Sequence, residues 1–326
     1  DGWECIERLL ASSQDEEMRW PILLNANEAH PEAFRRLLRI IIERGLAQFS
    51  SVARMVEVWL GLNWETVSTA TVNRTVEQLL GHLDDPATRT NALGGGDAWQ
   101  AFLALWALAF DDASAAAAEA QALLSGGDVA HRFIAARLLS DLQLPESPRA
   151  MLDTLNDDDL RVAAVAANHF WGRFDRRALS PDTKAAPTGV AAEELSRRLE
   201  ALLLRFPRER TALEPLVWPW IGMDVTTETV TRVLLADGLG ADPMRLAPYL
   251  HQMSVGSRIG VAYELARPKQ WTDGTRAVLL GLMSDASAEV RRAAIKGFAE
   301  CVPTDAEARD LERLLTRSGG ELRAGV

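Results

Sequence analysis

Asp285-Ala-Ser-Ala-Glu-Val-Arg-Arg-Ala-Ala294, continuing through Ile295-Lys-Gly-Phe298, carries the pattern that decides the fold of this chain. A turn rich in Asp and Ser runs into an arginine, and the arginine opens a segment of small residues. Counted from Arg291, small or apolar residues fall at Ala293, Ala294, Gly297 and Phe298. That spacing puts them on one face of an α-helix. Small side chains on such a face let a second helix approach closely.

The pattern recurs. Arg132-Phe-Ile-Ala-Ala-Arg-Leu-Leu139 follows Gly127-Asp128, and Arg161-Val-Ala-Ala-Val-Ala-Ala-Asn168 follows Asp157-Asp-Asp-Leu160. Another copy starts at Arg323, after Ser318-Gly-Gly-Glu-Leu322, and Ser257-Arg-Ile-Gly-Val-Ala262 supplies one more arginine. From Arg132 to Arg161 is 29 residues, from Arg258 to Arg291 is 33, and from Arg291 to Arg323 is 32. Arg161 to Arg258 is 97, close to three such periods, and weaker copies around Arg197 and Arg232 fill the gap. A period of this size with two helices per unit is a solenoid signature.

The stretch Asp285 to Ala294 resembles the second helix of a HEAT repeat, and Asp158-Asp-Leu-Arg-Val-Ala-Ala164 resembles it nearly as well. The resemblance runs from about residue 123 onward with gaps. Residues 1–122 are compatible through helical periodicity alone. It implies an all-α chain, a right-handed superhelix of stacked antiparallel helix pairs, with 1–122 as N-terminal helical repeats and 123–326 as HEAT-like repeats. It also implies a ladder in which an aspartate of the turn meets an arginine of the second helix. Asp158 or Asp159 with Arg161, and Asp285 with Arg291 or Arg292, occupy matching positions. The last repeat stops inside its second helix at Val326, and the chain starts at Asp1 without a methionine. Together these give the expectation of a fragment of a larger bacterial HEAT-repeat protein.

Between the repeats, residues 33–43, 51–61, 72–83, 98–110 and 113–124 read as helices, with a break at Asn91-Ala-Leu-Gly-Gly-Gly96. Pro181, Asp182, Pro187 and Gly189 make a helix improbable there, so an internal discontinuity is expected over 179–190. Pro215-Leu-Val-Trp-Pro-Trp-Ile-Gly222 is a second irregular stretch.

Composition bounds the function. The chain has 326 residues and a formal charge of −11. A protein that lives on duplex nucleic acid normally presents a basic face, so this balance weighs against general nucleic-acid binding. Arginine outnumbers lysine 32 to 3. Codon bias in a GC-rich bacterial genome accounts for that. Selection for guanidinium forks is the alternative. Cys5 and Cys301 sit at opposite ends, too few for a zinc site and too far apart for a disulfide in a stacked array. They fit a reducing cytoplasm. No run approaches the ~20 apolar residues of a membrane span.

No motif carries chemistry. His30, His82, His131, His169 and His251 share no i, i+3 or i+4 spacing and none precedes a glutamate, so a helical zinc or diiron site is not expected. Each reads as a surface or half-buried helix residue. Asn156-Asp-Asp-Asp159 lacks the glycine and distal glutamate of a calcium loop and reads as a helix cap. Gly94-Gly-Gly-Asp97 lacks the Gly-Lys-Ser/Thr of a phosphate loop. No catalytic, cofactor or metal residue is assigned.

Charge is uneven along the chain. Residues 61–130 hold two arginines against nine acids, whereas 161–210 hold ten basic residues against six acids. Candidate partner-binding residues are therefore Arg173, Arg176, Arg177 and Arg197, with Arg198, Arg205, Arg208 and Arg210 beyond them. Of ten tryptophans, most lie in or beside apolar helices and are expected between repeats. Trp218 and Trp220 flank Pro219 outside any regular helix and join the candidates as loop anchors. The expected role is a non-catalytic scaffold for protein–protein interaction, or an architectural arm of a larger protein. Nucleic-acid binding through 161–210 is the alternative, and a HEAT-like lyase or hydroxylase a weaker one.

Overall fold

The computed structural model describes residues 2–12, 16–27, 31–61, 67–142, 144, 146–174, 189–217, 223–236, 242–267, 271–299 and 301–315. These residues are all-α apart from one two-stranded ribbon. The backbone divides into two compact units, 1–150 with 213–223 and 151–212 with 224–326.

The first unit contains α1 (Gly2–Ser12), α2 (Glu16–Asn27), α3 (Pro31–Glu43), α4 (Ser50–Trp59), α5 (Thr69–Asp84), α6 (Pro86–Leu93), α7 (Ala98–Asp111), α8 (Ala113–Gly126) and α9 (Val129–Leu142). Local chemistry starts several of them. The Ser68 hydroxyl accepts from the Thr71 amide at 3.2 Å to cap α5. Asp85 caps α6, with Pro86 in the first turn, where its missing N–H costs nothing. Asp97 caps α7 and Asp112 caps α8, so the expected pair over 98–110 and 113–124 forms and extends slightly further. The alanines of α8 bury Ala116, Ala117 and Ala120 against α9 and its partners. The centre of the unit is aromatic. Phe34 lies 5.0 Å from Trp59 and 4.8 Å from Phe110 between ring centroids, and the Trp106 indole donates to the Trp59 carbonyl at 2.8 Å.

α10 (Ser147–Thr154) contains the boundary between units. The second unit continues with α11 (Leu160–Phe174), α12 (Ala192–Leu203), α13 (Thr227–Leu234), a 3-10 stretch Pro243–Gln252, α14 (Val255–Ala266), α15 (Asp273–Leu282), α16 (Ala288–Phe298) and α17 (Asp305–Leu315), and the division passes through the ribbon of β1 (Thr211–Leu213) paired with β2 (Met223–Val225). α11 packs on α13, and α14 packs on α16. The α14–α16 approach depends on small residues: a Cβ on Gly297 would lie 2.8 Å from the Ala266 Cβ. Val290, Ala293, Ala294 and Phe298 are buried with it on the face anticipated from the spacing. Of the expected discontinuity at 179–190, only Gly189 and Val190 are described residues, and Arg323 lies outside them.

Two expectations are corrected. His82, His131 and His169 are buried, at 2%, 7% and 5% exposure, not surface or half-buried. His82 and His131 each bring one ring nitrogen to a polar partner. The His82 Nε2 meets Gln100 Oε1 at 3.1 Å, and burial lowers its pKa. His131 Nδ1 meets Asp128 Oδ1 at 2.9 Å beside the cap of α9. The second correction concerns Trp171, which lines an open cleft instead of filling an inter-helix core.

Candidate partner-binding cleft

Three of the repeat arginines, Arg132, Arg258 and Arg291, share one geometry. Each opens its helix and folds its side chain back over the preceding turn to a carbonyl five residues earlier. Arg132 Nη1 donates to the Gly127 carbonyl at 3.1 Å, Arg258 Nη1 to Met253 at 2.5 Å, and Arg291 Nη1 to Ala286 at 2.9 Å. Arg161 differs: it forks onto Asp159, Nε to Oδ1 at 2.9 Å and Nη2 to Oδ2 at 2.6 Å. Those bonds hold the Asp159 carboxyl below its ordinary pKa. Asp159 and Arg161 therefore meet within one turn, whereas the ladder that the resemblance implies runs along the stack.

Asp285 does not pair with Arg291 through its carboxylate. Arg291 is taken up by the carbonyls of Asp285 and Ala286. The carboxylate goes to Arg258, the register-mate of Arg291, with Nε to Oδ2 at 2.8 Å and Nη2 to Oδ1 at 3.1 Å. The fold-back of Arg291 points its guanidinium at its own turn, which leaves Asp285 open to α14.

The basic segment is largely matched by acceptors. Arg176, Arg177, Trp218 and Trp220 lie outside the described residues, as does the side chain of Arg173. Arg198 stands 3.3 Å from both Asp153 and Glu194. Arg205 donates to the carbonyls of Asp157 and Asp158. Arg210 Nε meets Asp224 Oδ2 at 2.5 Å, and Arg208 faces Glu209 at 3.8 Å. Arg197 is exposed on α12 and makes no hydrogen bond or ion pair among the described residues. Apart from Arg197, the described arginines of this segment each face acceptors of their own chain.

A cleft of about 390 Å³ in the second unit gathers what the sequence left scattered. Trp171 of α11, Glu228 and Arg232 of α13, and Tyr263 and Glu264 of α14 form its walls. Gly256 and Gly260, one turn apart on α14, form its floor. A Cβ on Gly256 would lie 2.9 Å from Glu228 Oε2, and one on Gly260 would lie 3.2 Å from Leu235 Cδ1. Glycine at both places keeps the cleft deep. The Arg232 guanidinium lies 4.7 Å over the Trp171 ring and donates to Asn168 Oδ1. Partial burial lowers its pKa, and the nearby Glu228 charge works in the opposite direction. Glu264 Oε2 accepts from Arg267 at 3.0 Å. Tyr263 is 49% exposed.

Sequence reasoning found Arg232 only as a weak repeat copy and missed Glu228, Tyr263 and Glu264. The available signal was the Gly256–Gly260 spacing inside a repeat helix, which removes side chains where a neighbour would otherwise pack. The first unit has its own apolar groove of about 410 Å³, lined by Trp59, Trp106 and Phe110. Asp141 is also among its lining residues.

Among the described residues, no group of three His, Cys, Asp or Glu side chains is placed to hold a metal ion, and no helix is long and apolar enough to cross a membrane. No curated protein matches the chain. A single sequence family spans the helices of both units and the cleft together, and over residues 2–326 the chain belongs to it, a family of unknown function (DUF5724).

Proposed function

We propose that this chain is a non-catalytic, HEAT-like α-solenoid scaffold that holds a protein partner or serves as an architectural arm within a larger protein. The observation that carries the reading is the Arg258–Asp285 bridge, joined to the fold-back that recurs at Arg132, Arg258 and Arg291. The bridge joins α14 to the turn before α16, and the recurring fold-back gives three helices the same start; equivalent helix pairs would share such a start, and none of them could cover its apolar face alone. A cytoplasmic location is part of the proposal and rests on the cysteine usage, since Cys5 and Cys301 form no disulfide. A nucleic-acid role has less support, because the described arginines of 161–210 mostly hold acceptors of their own chain.

Two measurements test it. Small-angle scattering should give a radius of gyration clearly above the about 20 Å of a compact globule of this length. A value at or below that figure removes the superhelix. Affinity capture from nuclease-treated native lysate, read by mass spectrometry, should retain a stoichiometric protein. No protein from the treated lysate, with nucleic acid retained from an untreated one and lost steeply with salt, would replace the scaffold with the nucleic-acid reading.

A further inference from the structure

Resting on the scaffold reading, we infer that the cleft of α11, α13 and α14 receives a basic side chain, an arginine or lysine, from a polypeptide partner. The charges inside the cleft are not equally available. The Arg232 cation is already engaged by the Trp171 ring and by Asn168. The Glu264 carboxylate is engaged by Arg267. Glu228 makes no hydrogen bond or ion pair among the described residues, and its carboxylate lies along the backbone of α14 over Gly256. Among the described residues the cleft therefore offers one carboxylate without a hydrogen bond, whose charge also acts on Arg232, and the exposed ring of Tyr263, with glycine and the aliphatic Leu235 lining the remainder.

A carboxylate beside an aromatic face, with room for an apolar stem, is the chemistry that takes a guanidinium or ammonium group. The Trp171–Arg232 stack is the same contact made within the chain. The formal charge of −11 favours the approach of a cationic partner. An anionic occupant would meet Glu228 and Glu264 and would have to draw Arg232 away from Asn168.

The probes are the capped tripeptide Gly-Arg-Gly, its citrulline analogue of equal shape and no charge, and Gly-Glu-Gly, titrated into the full chain by calorimetry. The arginine peptide is expected to bind at least about tenfold more tightly than the citrulline peptide, a difference that salt reduces. Glu228→Gln is expected to weaken it about tenfold while leaving the thermal melt unchanged, since Glu228 is exposed. Gly260→Leu should block binding by filling the floor. Equal affinity for arginine and citrulline, or indifference to Glu228→Gln, overturns the inference. A preference for Gly-Glu-Gly that disappears in Arg232→Gln overturns it in favour of an anion site. A protein partner whose capture ignores both Glu228→Gln and Gly260→Leu leaves the scaffold standing and removes the cleft from it. Arginine binding with no captured protein supports the cleft chemistry and removes the scaffold.

Discussion

Arg258 of α14 grips the Asp285 carboxylate with a two-pronged ion pair, while its third nitrogen donates to the Met253 carbonyl. The two side chains are 4% and 13% exposed, and Asp285 also accepts from the Ser287 amide at 2.8 Å. A buried guanidinium with every prong engaged is tolerated; one stripped of its carboxylate is not. Asp285→Ala is expected to cost about 3–5 kcal/mol in urea unfolding, because Arg258 remains buried without a counter-charge. Replacing both partners by apolar residues of similar size should recover much of that loss. An Asp285→Ala cost below about 1 kcal/mol, the range of an exposed pair, would show the bridge to be inert.

Gly297 and Gly281 make a matched contrast. A methyl at Gly297 would press on Ala266 at 2.8 Å, so Gly297→Ala should destabilise by about 1–3 kcal/mol through overpacking. Gly281, near the end of α15, has nothing within 4 Å of its would-be Cβ. Gly281→Ala should stabilise by up to about 1 kcal/mol through helix propensity and a less flexible unfolded chain. Paired melts of the two variants would settle whether the α14–α16 approach is as tight as drawn.

Glu307 gives a pH signature. Hydrogen bonds from Arg276, and from the Thr304 amide and hydroxyl, hold its pKa at about 2 against an ordinary 4.5. Thr304 and Glu307 also form a capping box, the Glu307 amide returning to Thr304 Oγ1 at 3.3 Å. A depressed folded-state pKa stabilises above the unfolded value. That contribution is therefore complete above about 4.5 and is lost as pH falls toward 2. Glu307→Gln should lower stability at neutral pH and flatten its fall across that window, seen in urea midpoints at stepped pH. An unchanged slope would remove the assignment.

The basic segment should divide by partner. Arg205 reaches back to the carbonyls of Asp157 and Asp158 and ties the end of α12 to the turn before α11. Arg205→Ala is expected to cost about 1–2 kcal/mol. Arg197→Glu, on the open side of α12, should stay within about 0.5 kcal/mol. Equal losses from the two would mean that the segment's charge, and not its bonds, sets its role.

Much of the helical content was legible because its signals are local. Asp97 and Asp112 announce α7 and α8, and the small-residue face of Arg291 to Phe298 announces a close helical neighbour. The partner of Asp285 was not legible. Sequence adjacency favours Arg291, but the direction in which that side chain folds depends on the turn conformation ahead of it. The cleft was illegible for a related reason. Trp171, Glu228 and Tyr263 come from three helices and meet only after α11, α13 and α14 have packed. The environment of His82 follows the same rule, since its partner Gln100 lies on another helix.

The fold-back arginines also bear on how this chain could be recoded. Arg258 uses three nitrogens in two directions at once, toward Met253 behind it and Asp285 ahead. An ammonium is a single point on a flexible stem and cannot span both. Wholesale exchange of arginine for lysine would sort the 32 arginines into two populations. Those resembling Arg197 would accept the change silently. Arg258 would not, because its neighbours demand a planar fork whatever the base composition of the genome that encodes it.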